Sequence, residues 1–150
     1  MVLSKTKEGE TMLLHTYTIP LDSRTKKNHQ MIAGSGQRCP YCGKPKKQFI
    51  RQGKANTEYT IKAYPYLNPK PSQPIDFPVH VKYLFYKGTR HRVDGLNLCA
   101  AADDLLVEAG ILKDDNSNIV KHHDGTRVLY DKEYPRTEIY IYTCEEATTP

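Results

Sequence analysis

Residues 93–115 read VDGLNLCAAADDLLVEAGILKDD, and the spacing within this stretch predicts one amphipathic helix with a defined start and stop. Leu98, Ala102, Leu105 and Ala109 recur at helical intervals with Leu106 beside them, so one face is apolar enough to pack on a core. Asp94 before Gly95 suits an N-cap, and Gly110 stands where a glycine lets the chain leave the helix in a left-handed conformation. Asn97, Ala101, Asp104 and Glu108 form a stripe beside the apolar face. Asp114 and Asp115 follow Gly110 closely enough to fold back towards the helix. Carboxylates brought together repel one another, and Mg2+ or Mn2+ relieves that repulsion through oxygen ligation. Asp94, Asp104, Asp114 and Asp115 are therefore the candidate catalytic and metal-ligating residues. Taken singly, Asp94 also reads as a cap, Asp104 as a solvated helix residue and Asp114–Asp115 as a turn.

The surroundings of this acidic stretch are basic. The 150 residues carry a formal net charge of +5. Nine Lys or Arg and no acidic residue lie between Arg24 and Lys54, whereas six acidic residues face Lys113 alone between Asp94 and Asp115. A basic arm that holds phosphates beside an acidic pocket that holds metal is an arrangement suited to nucleic-acid chemistry. A solvated basic loop is the plainer alternative. No apolar run approaches the roughly 20 residues of a membrane span, and the N-terminus lacks the apolar segment of a signal peptide. With four Cys, two of them in a Cys-x-x-Cys pair, reduced thiols and a cytoplasmic location are expected.

Along the chain, the pattern predicts a single α+β domain over residues 1–150: a mixed or antiparallel sheet against one main helix (about 96–109) and a shorter one (about 54–64). Residues 1–10 and 145–150 read as flexible tails. Met12–Pro20 alternates as a strand and leads into the polar loop Asp22–Asn28, where Lys26, Lys27 and Asn28 are candidates to hold a phosphate or a base edge. His29–Ala33 and Lys46–Arg51 read as strands of a hairpin, with residues 34–52 as an insertion around the cysteines. Five prolines from Pro65 to Pro78 punctuate an extended surface connection. Val79–Tyr86 is the clearest strand, Ile119–Lys121 and Arg127–Tyr130 read as a short pair around Asp124-Gly125, and Glu138–Thr143 closes the fold.

Cys39-Pro40-Tyr41-Cys42-Gly43 is a tight knuckle that turns two thiolates to one side, half of a tetrahedral zinc site. Neither Cys99 nor Cys144 repeats it; His29, His91 or the same knuckle of a second subunit are the candidates to complete it. A thioredoxin-like redox role lacks the βαβ pattern that would surround such a motif.

The order Arg92, Asp94, Asn97, Asp104, Leu106, Ala109-Gly110 and Asp114-Asp115 after a strand, with Thr25-Lys26-Lys27-Asn28 after the first strand, resembles the RusA family of Holliday junction resolvases, common in phages and prophages. The similarity covers the first strand and its loop and about residues 79–143; the cysteine knuckle lies outside it. The resemblance implies a homodimer, in a bacterial or phage-infected cell, that cuts four-way DNA junctions by Mg2+-dependent hydrolysis. Asp94 would match the family's first catalytic aspartate, Asp115 the one after the helix and Asp114 its neighbour. On that reading Asp94 and Asp115 ligate the metal, and Asp104 or Asp114 completes the site or orients water. Lys26, Lys27, Arg90 and Arg92 grip phosphates, with Asn28 and Asn97 as further DNA contacts. Two positions depart: the family's second aspartate is Leu96 here and its lysine is Ala100. The alternative implied by those departures is a branched-DNA-binding protein that cuts weakly or not at all, with zinc at the knuckle.

Overall fold

Val79, Val81, Tyr83 and Phe85 are all but inaccessible to solvent, while the residues between them are half-buried, so alternate side chains of one strand enter the core. That strand, Val79–Lys87, organises the computed structural model, which describes residues 11–25, 30–33, 37–44, 49–52 and 54–144. The elements are β1 (Leu13–Ile19), β2 (Gln30–Ala33), β3 (Phe49–Gln52), α1 (Lys54–Ala63), β4 (Val79–Lys87), α2 (Gly95–Glu108), β5 (Val120–His122), β6 (Arg127–Tyr130) and β7 (Arg136–Thr143). The protein is α+β: a five-stranded mixed sheet with two helices.

The main sheet runs β1-β7-β4-β5, and β6 also pairs with β4. β7 lies antiparallel between β1 and β4 and places Ile141 opposite Val81 and Ile139 opposite Tyr83. The expected strand at 119–121 forms one residue later, at Val120–His122, and that at 127–130 forms as expected, but the two do not pair with each other as the sequence suggested. β5 and β6 both run parallel to β4, β5 beside Val79 and His80 and β6 beside Leu84–Lys87. A tight turn closes between them, with Thr126 N donating to His123 O at 3.0 Å. Its Gly125 has φ +83°, and a Cβ there would lie 2.9 Å from Lys82 Cδ, so this corner requires glycine.

α2 sits where the sequence places it. Leu98, Cys99, Asp103, Leu105, Leu106 and, just beyond the helix, Ala109 are buried. Leu98, Ala102 and Leu105 line the same small void as Ile19, Phe85 and Ile139 of the sheet. At its end Gly110 takes φ +79°, Gly110 N donates to Val107 O and Ile111 N to Leu106 O, closing a Schellman motif. The chain then returns along the helix. α1 fits the expected span, with Ala63 buried and Tyr59 packed against the core.

The proline-rich connection is fastened more firmly than a surface linker. Leu67 and Ile75 are buried, Ile75 N donates to Ile111 O, and Lys113 N donates to Ile75 O, each at 2.9 Å. The segment leaving β1 is also pinned, because Lys87 Nζ pairs with Asp22 and donates to Ser23 O at 2.6 Å. β2 and β3 form a separate antiparallel hairpin flanking the cysteine knuckle. Among the described residues no helix is long and apolar enough to cross a membrane.

Leu106, fully buried on the core face of α2, reports on this packing. Leu106→Ala is expected to cost about 2–5 kcal/mol, read as a lower urea midpoint at an unchanged slope.

Candidate active site

Asp94 caps α2. Its Oδ1 accepts from Leu96 N at 3.0 Å and from Asn97 N at 3.3 Å, and its Oδ2 accepts from Asn97 Nδ2 at 3.0 Å. The cap supplies partners for helix-start amides that otherwise have none. Asn97 is thereby committed to Asp94.

Asp104 and Asp115 come together. The Asp115 carboxyl is pushed above the usual carboxylate range, first by desolvation where the loop folds back and then by the hydrogen bond and charge of Asp104. Asp114 serves the loop itself: its Oδ1 accepts from Asp115 N at 2.7 Å and its Oδ2 from Asn116 Nδ2 at 3.0 Å. These bonds hold the Asp114 carboxyl below its usual range. Asp94 and Asp104 are ten residues apart, about 15 Å of helical rise, so the two cannot grip one ion directly. Leu96 and Ala100 occupy the intervening positions of the i, i+4 row that ends at Asp104. Leu96 is 82% exposed and Ala100 is exposed as well.

A second group lies one helix position away. Asp103, buried, accepts from the Tyr83 hydroxyl at 2.6 Å and lies 2.8 and 3.0 Å from His123 Nε2 through its two oxygens. Burial, followed by the charge and hydrogen bond of Asp103, drives the Tyr83 hydroxyl well above its ordinary pKa and keeps it a donor. His123 opens onto a cleft of about 390 Å³ that also has Asp94, Leu96, Cys99, Thr126 and Arg127 on its walls. The Cys99 thiol is pushed up to about 11 by burial and then by Asp103, so it stays protonated and is a poor nucleophile near neutral pH.

Basic side chains lie near the start of α2 and on the wall of the cleft. Arg90 lies over the Tyr130 ring at 4.2 Å, Arg92 is exposed beside the start of α2, and Arg127 lines the cleft. Lys26, Lys27, Asn28 and His29 lie outside the described residues. The cysteine knuckle forms: Cys39 N donates to Lys44 O and Gly43 N to Cys39 O, both at 2.9 Å, with Gly43 at φ +66°. The backbone amides of Cys42 and then Tyr41 point at the Cys39 sulfur and pull its pKa down, which favours the thiolate a metal needs. Among the described residues no group of three or more His, Cys, Asp or Glu is arranged to hold a metal ion.

No protein-family model matches this chain, and no curated protein matches it significantly. The site is therefore read from its own chemistry. Sequence reasoning missed Tyr83, Asp103 and His123 as a unit. The available signal was on the helical wheel, where Asp103 shares an i, i+4 relation with Cys99 at the border of the apolar face.

Because folding raises the Asp115 pKa, its stabilising contribution is present below the ordinary carboxylate range and is lost as pH rises through the folded value. Asp115→Asn is thus expected to melt above the wild type near neutral pH and level with it at about pH 3. Thermal melts at both pH values check this, and equal offsets at the two would contradict it.

Proposed function

We propose that the protein is a metal-dependent endodeoxyribonuclease acting on branched DNA, four-way junctions included. The observation that carries this reading is the Asp104–Asp115 pair, two carboxyls held against each other on a chain of net charge +5. Mg2+ commonly takes only one or two protein carboxylates and fills its remaining positions with water and substrate phosphate oxygens. The pair is a sufficient protein share on that count. When bound, the ion supplies Lewis-acid charge to the phosphodiester.

The chain's own residues do the rest on this reading. Asp104 and Asp115 fix the ion beside the returning loop that Asp114 shapes. Arg90, Arg92 and Arg127 hold phosphates along the α2 start and the cleft, and Lys26 and Lys27 contribute further phosphate contacts. Two copies would grip the two halves of a symmetric junction. Cys39 and Cys42 would contribute two of four zinc ligands, the others coming from a second copy, from His29 or from His91.

A second reading, a junction-binding protein that does not cut, is favoured by Leu96 and Ala100. Both are exposed, and both stand where the resembled family carries an aspartate and a lysine.

A labelled synthetic four-way junction incubated with Mg2+, Mn2+ or EDTA separates the two. Paired, symmetric, metal-dependent nicks are expected. Asp115→Asn and Asp104→Asn should each slow nicking by roughly 100-fold or more, the scale of losing metal-assisted charge stabilisation, while junction affinity stays within a few-fold. Tight binding with no nicks in either metal would establish the binding-only reading. Lys26→Ala with Lys27→Ala should weaken binding and reduce the salt slope by about 1 per lysine. Elemental analysis should find zinc in the wild type and lose it in Cys42→Ser.

A further inference from the structure

We propose that His123 is the proton-transfer residue of the cleft beside α2, positioned by Asp103 and Tyr83, and that it takes the proton from the water that attacks the phosphodiester. The inference rests on the nuclease reading above.

The hydrogen-bond network assigns the proton on the ring. Tyr83 is fully buried and its hydroxyl donates to Asp103 Oδ1. The Asp103 carboxylate is an acceptor only, and both its oxygens lie within 3.0 Å of His123 Nε2. Nε2 therefore carries hydrogen, and in the neutral ring Nδ1 is the lone-pair nitrogen. Among the described residues Nδ1 has no hydrogen-bond partner, whereas the side chain remains 29% exposed at the cleft. The ring is held in a second way by stacking on Tyr83, with centroids 5.7 Å apart. Its backbone is fixed by the turn to Thr126, whose hydroxyl accepts from Tyr83 N at 3.1 Å.

This is the arrangement that proton transfer needs. A buried carboxylate sets the tautomer and stabilises the imidazolium once it forms, and the other nitrogen reaches solvent in the cleft that Arg127 also lines. The charged and titratable groups around the ring are Asp103 and Cys99 of α2, Asp94 at its cap, Tyr83 of β4 and Arg127 of β6. In the step, water oxygen forms the new P–O bond and its proton passes to His123 Nδ1. The P–O bond to the leaving sugar oxygen breaks with its electron pair. The leaving oxygen takes a proton from solvent water and His123 releases its own to solvent, so the ring ends as it began and one water is consumed.

Single-turnover nicking of the labelled junction in Mg2+, followed from acid to alkaline pH, tests this. His123→Ala is expected to lower the rate by about 100-fold or more, to keep junction affinity within about 2-fold, and to lose the acid limb of the pH profile. Added imidazole should restore part of the rate. His123→Gln, closer in size, serves if the alanine variant unfolds. Asp103→Asn should also lower the rate, because an amide can present a donor to Nε2 and so release the tautomer that Asp103 fixes. A folded His123 variant that nicks within 3-fold of an active wild type with the same pH profile overturns the role of His123 and leaves the nuclease reading standing. A wild type that binds but never nicks overturns both.

Discussion

Strand β4 is hydrogen-bonded along both edges, to β7 on one side and to β5 and then β6 on the other. A slip of one residue in either register would turn Val79, Val81, Tyr83 and Phe85 out of the core and bring His80, Lys82, Leu84 and Tyr86 in. The register is thus held by four buried side chains and by three neighbouring strands at once. Between β5 and β6 the chain leaves the edge, and the Tyr83 amide there is satisfied by the Thr126 hydroxyl. The corner that bears His123 is consequently tied to the same residue that supports Asp103.

With β4 fixed, the docking of α2 decides what each of two adjacent aspartates experiences. Asp103 and Asp104 differ by one helical step, about 100° around the axis. That step points Asp103 down onto Tyr83 and His123, under the helix, and leaves Asp104 on the side to which the returning loop brings Asp115. One dipeptide in this way serves a dry hydrogen-bonded network and a wet carboxyl pair. The Schellman motif at Gly110 completes the arrangement, because it turns the chain back sharply enough for residues 114–115 to meet residue 104.

The parts that were legible in the sequence are the parts written locally. The bounds of α2 follow from its apolar spacing, the Asp94 cap and the Gly110 stop. β4 follows from strict alternation, and the approach of Asp115 to Asp104 follows from the short return after Gly110. The parallel pairing of β5 and β6 with β4 was not legible, since two short extended segments around Asp124-Gly125 resemble a hairpin by pattern alone. Nor was the burial of Asp103. Its partners lie 20 residues before and 20 residues after it, and only the assembled sheet brings them to one place. The anchoring of the proline-rich segment through Ile75 was hidden for the same reason, because prolines report local backbone shape and not what that backbone is later bonded to.

Gly125 carries a consequence at the level of the gene. Its backbone is left-handed, and the space a Cβ would take is filled by the stem of Lys82. Every amino acid reachable from a glycine codon by one base change bears a Cβ. Any missense change at this codon therefore sets a Cβ on a left-handed backbone and against the Lys82 stem at once, and a change at position 82 relieves only the second of these.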